Sequence, residues 1–350
     1  MGRASRHKRE RPAWWRREDV REVVRRVEGL ERTVEERFGA NVWAVLDAMR
    51  ADRGHGLPEW PEWCWLPMAG AAVLATGGRP ISGETDRMTG DETRWMALLA
   101  ALAAWRVGRG IYRVDPELLD ALVASELPGD VPTDSLFELP EWGLYLDLGA
   151  AGAFVHLEWD VVLSQPELRL LAFVPGGPPF GVPVAVHLDQ PSLADALAAF
   201  VDQAARRAGR PLPVPDATEM AGLVHRLVGP FMAVVLYLVS TGADVADPDR
   251  PGAGPRRQAA PSSVPRVWEV GYRVGTALRA ARLPGRDAGG SHASPAPHLR
   301  RAHWHTYLVG EGARRDPGSA RRELRWVHPV LVGGRPAVPV VRRVRRDERA

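Results

Sequence analysis

A chain of 350 residues, 45% hydrophobic and 25% charged, has the material for a sizeable core, which excludes a disordered or fibrous protein. Its net charge of +3 hides an uneven distribution: residues 1–17 hold seven basic side chains and one acidic, residues 300–350 hold thirteen and five, and the stretch between holds 26 and 37. The single cysteine, Cys64, excludes an internal disulfide and suits a reducing cytoplasm, the first residues lack the apolar region of a signal peptide, and the most apolar run, Phe231–Val239, is about half the length of a membrane span.

Residues 1–17 read as a basic disordered arm ending at Trp14–Trp15, suited to an electrostatic contact with RNA or the ribosome. Lys8 is the only lysine; the arginine richness fits phosphate recognition, and with abundant Ala, Gly, Pro and Val it equally fits a GC-rich gene. Over 18–56, Val20, Val23, Val24, Val27, Leu30 and Val34, then Val42, Val45, Leu46 and Met49, recur at helical spacing, and Gly39 and Asn41 divide them into two helices.

Residues 57–244 are expected to form an α+β core. Its first segment, LPEWPEWCWLPM, crowds Trp60, Trp63 and Trp65 into a proline-punctuated loop of the kind that plugs a core or a domain seam. Trp95, Leu98, Leu99, Leu102 and Trp105 predict a helix over 93–107, and Asp115–Pro116 start another. WGLYLDL, AFVHLEWD, LRLLAFV and VPVAVHL alternate as four strands of an antiparallel meander. Helices follow over 191–207 and 216–240, the second kinked or interrupted at Pro230.

Residues 245–265 read as a flexible linker, and Arg266–Leu283 as a helix through Val267, Val270, Val274 and Leu278. A second linker leads to LRRAHWHTYLVGEG (299–312) and its echo LRWVHPVLV (324–332). With the preceding helix these make a unit over 266–333, followed by a basic tail, 334–350. The expected fold is α+β, an antiparallel meander flanked by helices, with a C-terminal β-hairpin.

The candidate functional residues cluster in that hairpin. In strand alternation Arg301, His303, His305 and Tyr307 share one face while Arg300, Ala302, Trp304 and Thr306 share the other, with Trp304 packing inward. His303 and His305 could ligate a metal with help from His298, His328 or a carboxylate, which would make a metal-dependent nuclease or hydrolase. No HExxH or CxxC supports it, and hydrogen bonding within a polar hairpin accounts for the pair as well. Arg300, Arg301 and Arg325 among Trp304, Tyr307 and Trp326 suit a macromolecular partner, whether stacked bases or a gripped peptide, so a general RNA-binding protein stays open.

Elsewhere the chemistry is thin. Asp147, Glu158 and Asp160 fit solvated strand faces and turns better than acid/base work. Cys64 lies between tryptophans with no base at hand, and a buried thiol is inert. Gly108 and Gly110 form a GxG that suits a helix end, and neither GxGxxG nor GxxxxGK[ST] occurs. No catalytic set, cofactor, metal or small-molecule substrate is expected.

Four blocks, AAWRVGRGIYRVDPEL, PTDSLFELPEWGLYLDL, HLRRAHWHTYLVGEG and LRWVHPVLV, resemble in order and spacing the type V-A anti-CRISPR proteins of the group that lowers effector production. The resemblance spans about 57–332 and is most specific in RRAHWHTY. It implies a non-enzymatic regulator of a mobile genetic element that recognises the N-terminus of a nascent type V effector, or an analogous target, at the translating ribosome and causes translation-dependent loss of its message. The face around Arg300, Arg301, His303, Trp304, His305, Tyr307, Arg325 and Trp326 would then be the binding face. The basic arm, the linker before Arg266 and the basic tail depart from the family pattern.

Overall fold

Asp19 caps the first helix by accepting the N–H of Arg21 at 2.8 Å. This helix, α1 (Val20–Phe38), turns Val23, Val27 and Val34 inward, and the chain breaks at Gly39 before α2 (Val42–Ala51) buries Val42, Trp43 and Leu46. The structure, a computed structural model, describes residues 19–79, 88–125, 131–199, 217–247, 262–282, 298–300, 302–309 and 321–332. The expected basic arm and tail, Arg301 and most of both linkers lie outside these residues.

The tryptophan loop leads into α3 (Met68–Ala75). Next comes α4 (Gly90–Gly108), opened by a reciprocal capping box in which Thr89 Oγ1 accepts the Glu92 N–H and Glu92 accepts the Thr89 N–H. Strand β1 (Gly110–Val114) follows, and α5 (Pro116–Ala124) starts at Asp115, whose side chain accepts the Glu117 N–H at 2.9 Å. A 3-10 turn, Thr133–Glu138, then leads to four strands: β2 (Gly143–Asp147), β3 (Gly152–Asp160), β4 (Gln165–Phe173) and β5 (Val182–His187). The described part of α6 is 193–199, and α7 (Ala217–Val239) continues through Pro230. The last elements are β6 (Val245–Ala246), β7 (Arg266–Val270), α8 (Tyr272–Arg282), β8 (His298–Arg300), β9 (His303–Val309), β10 (Arg321–Val327) and β11 (Val330–Val332).

The fold is α+β. Its main sheet runs β5-β4-β3-β2-β1-β7-β6. The meander β2 to β5 is antiparallel as expected, but β1 runs parallel to both β2 and β7, so the sheet is mixed. A second correction concerns Arg266–Leu283: its first five residues are strand, not helix. Val267, Trp268 and Val270 fit either period over so short a run, and pairing with β1 decides it. Gly271, at φ 76°, then turns the chain into α8.

Both faces of the sheet are covered, which explains why its strands are buried on alternate and intervening residues alike. Ile111, Tyr145, Phe154 and Leu171 pack with α1, α2, α3 and α4 around Trp105, Leu98 and Leu102. Leu144, Leu146, Val155, Leu157, Leu170 and Val186 pack on the other face with α5, α7 and α8. Trp60 and Trp65 are buried in the first core, and Trp63 touches both, so the loop plugs a seam. The apolar run from Phe231 to Leu238 is packed within the second core, and among the described residues no helix is long and apolar enough to cross a membrane.

Candidate binding face

The C-terminal strands form two antiparallel pairs, β8 with β11 and β9 with β10. Their registers belong to one ladder: His298 opposes Val332 and Arg300 opposes Val330, while His303 opposes Val327 and Val309 opposes Arg321. The ladder is interrupted at His328–Pro329, where proline has no N–H to donate. The expected hairpin is therefore a broken ribbon, and its two strands change neither register nor direction across the break.

Alternation gives the β9–β10 ribbon one dry face. Trp304 opposes Trp326, Thr306 opposes Leu324, and Trp304, Leu324 and Trp326 are all buried in the second core. Trp326 lies edge-on to Tyr237 of α7 at 5.7 Å and donates from Nε1 to Ser125 Oγ at the end of α5, at 3.2 Å. The Thr241 N–H, just past α7, donates to the Leu324 carbonyl at 3.0 Å. Of the residues expected at the site, Trp304 and Trp326 thus anchor the ribbon from within.

His303, His305 and Tyr307 stand on the opposite face, cross-strand from Val327, Arg325 and Glu323. The His305 and Tyr307 rings meet edge to face at 4.3 Å, and the Arg325 guanidinium lies 5.0 Å from the Tyr307 ring. Glu323 holds Arg325 from below through an ion pair at 2.5 Å. Imidazole, phenol and guanidinium thereby line one exposed face of the ladder, able to lie against a peptide backbone or a planar group and to donate hydrogen bonds to it. Arg300 belongs to β8, beyond the break.

Among the described residues no group of three or more His, Cys, Asp or Glu is placed to hold a metal ion, and the residue opposite His305 on the ladder is the cation Arg325. His328, whose ring packs 5.0 Å from Trp326, has its pKa lowered by burial.

The carboxylates expected on solvated strands are the main correction. Asp147 and Glu158 are buried, because α1, α3 and α4 cover that face of the sheet; only Asp160 sits at a turn. Asp147 receives Arg113 Nε at 3.0 Å and the Gly149 N–H at 3.0 Å. Glu158 accepts the Met68 N–H at 2.6 Å, fastening β3 to the start of α3, and its other oxygen lies 3.8 Å from His156 Nε2. Burial pushes the Glu158 carboxyl above its ordinary range. Across the ladder, Glu167 is buried as deeply, yet the His187 hydrogen bond and the Arg169 charge outweigh burial and hold it at about 2.

A further carboxylate, Glu141, joins the end of α4 to the sheet. It accepts from Tyr112 Oη at 2.9 Å, Trp268 Nε1 at 3.1 Å and the Gly110 N–H at 3.2 Å, and burial raises its pKa. Gly108 and Gly110 serve this contact, since a Cβ on either would run into the Glu141 carboxylate. The left-handed residue that ends α4 is Arg109, at φ 54°, whose guanidinium forks onto Glu31 of α1 at 2.6 and 3.1 Å. Cys64 is buried, and burial pushes its thiol well above the ordinary range. These groups knit helices to the sheet; sequence spacing missed them because the burying elements are remote in the chain.

A family model described as the anti-CRISPR type V subtype A2 family, AcrVA2-like, matches residues 112–334, from β1 through the C-terminal ribbon. Among solved structures the chain is similar to the crystal structure of AcrVA2, at 19% identity and a TM-score of 0.60, over 88% of this chain and 99% of that one. No curated protein matches.

Proposed function

The chain belongs to the AcrVA2-like, anti-CRISPR type V subtype A2 family, and from that membership we propose that it is a non-enzymatic regulator which binds a nascent polypeptide and brings about translation-dependent loss of its message. The observation that carries this reading is the family match, which runs from β1 to the end of the ribbon and includes the exposed face of His305, Tyr307 and Arg325. The target is the N-terminus of a type V effector, or an analogous chain, presented at the translating ribosome. Anchored by Trp304 and Trp326 and exposed at His305 and Tyr307, the ribbon offers rigid aromatic contacts and charge-assisted donors, the means by which a short peptide is gripped at low entropic cost.

Co-expression with a type V effector tests this directly. A fall in effector message that requires an intact start codon and open reading frame, together with recovery of the protein on ribosomes stalled early in that frame, is the expected result. Unchanged message and no association with any effector N-terminus would remove the proposal.

A further inference from the structure

The turn joining β3 to β4 holds three consecutive apolar side chains in water: Val161, Val162 and Leu163 are 45, 59 and 47% exposed. The turn itself is firmly made. Asp160 Oδ1 accepts the N–H groups of Val162 and Leu163 at 2.9 and 3.0 Å, and Ser164 takes the left-handed conformation at φ 53°. Hairpin tips of this kind favour small polar residues, so this apolar run is not demanded by the turn. It continues into a half-buried aromatic group, in which Trp63 meets Trp159 at 6.0 Å and Phe137 at 5.1 Å.

The exposed charge around this apolar surface is mainly acidic: Arg50 and Arg53, beside the loop that carries Trp63, are paired with the more exposed Glu59 and Glu62, and Glu141, Asp147, Glu158 and Glu167 are buried. Residues 131–190 contain eight acidic side chains and a single cation, Arg169, whose side chain is 16% exposed and paired with Glu167. Asp134 and Glu138, on either side of the aromatic group's Phe137, and Asp189, beyond β5, are exposed. Such a field repels phosphate, which disfavours nucleic acid and anionic lipid, and attracts a cationic partner.

We propose that the Val161–Leu163 tip and its aromatic flank form a second docking surface, taking a basic amphipathic segment of a partner protein. Apolar side chains of the segment cover the tip, and its Lys or Arg residues face Asp134 and Glu138. The surface shares no element with the β9–β10 ribbon, so one molecule engages a nascent chain and a second protein together.

A fluorescently labelled amphipathic Leu/Lys helical peptide, with its Leu/Glu counterpart and a non-amphipathic Lys/Ser peptide as controls, tests this on the full chain by anisotropy. The Leu/Lys peptide is expected to bind at least tenfold more tightly than either control. The Val162→Ser/Leu163→Ser double variant is expected to weaken it about tenfold, the scale of two half-buried aliphatic contacts. Asp134→Arg/Glu138→Arg, which leaves the tip intact, is expected to weaken it similarly. Equal binding of the Leu/Glu peptide, or unchanged binding by both variants, overturns the proposal. So does self-association that rises with concentration in sedimentation and is lost in the serine variant, which would assign the tip to a second copy of this chain.

Discussion

Glu158 and Glu167 face each other on neighbouring strands, both out of water, and their carboxyls settle on opposite sides of the ordinary range. Burial governs Glu158 and raises it; at Glu167 the same burial is outweighed by His187 and Arg169. The two carboxyls oppose each other on one ladder, yet their different partners make them ionise at different pH.

The two residues therefore contribute to stability in different pH windows. Glu167, depressed from 4.5 to about 2, supplies stability that is present above its ordinary pKa and is lost as pH falls through about 2. Glu158, raised, supplies stability that is complete below its ordinary value and is lost as pH rises through its folded pKa. Urea denaturation across the pH range should show Glu167→Gln losing about 3 kcal/mol at neutral pH with a flattened acid limb. Glu158→Gln should leave the acid side unchanged and reduce the decline in stability on the alkaline side.

Gly110→Ala should cost about 2–4 kcal/mol, because the new methyl group displaces Glu141 from Tyr112 and Trp268 and leaves buried polar groups unpaired. Chemical denaturation measures the loss, and near-ultraviolet circular dichroism should report the changed surroundings of Trp268.

The two faces of the ribbon should separate under mutation. Trp326→Ala removes a buried ring together with its bond to Ser125, and should cost about 3–5 kcal/mol and raise amide exchange in 303–309. His305→Ala and Tyr307→Ala should stay within about 0.5 kcal/mol of the parent in melts, while weakening nascent-chain association about tenfold in ribosome pull-downs.

Asp244→Ala should destabilise α8 by about 2 kcal/mol. Its carboxylate accepts the N–H of Arg273 at 2.7 Å and of Val274 at 3.2 Å, and pairs with Arg273 Nε at 2.7 Å. Exchange rates of the first-turn amides of α8 give the readout, with α5 as the internal control.

Local chemistry carried the helices well: Asp115 with Pro116 marks the start of α5, and the helical spacing of Trp95, Leu98, Leu99, Leu102 and Trp105 gives the buried face of α4. Alternation likewise places Trp304 inward. What failed were features decided by remote partners. Whether Val267, Trp268 and Val270 make a strand depends on β1, and whether Glu158 is wet depends on α3 lying over it. The inward position of Trp326 needs the register that sets it opposite Trp304.

The place of β1 has a consequence for the order of assembly. One of its neighbours, β2, is translated shortly after it, but the other, β7, starts at Arg266, more than a hundred and fifty residues downstream of Val114. Pairing so distant in the chain slows folding, and while synthesis is under way β1 has one side unmatched. A protein proposed to meet other chains at the ribosome thus completes its own central sheet only late in its own synthesis. Truncations that end before Arg266 should expose, as an aggregation-prone edge, the side of β1 that β7 covers in the full chain.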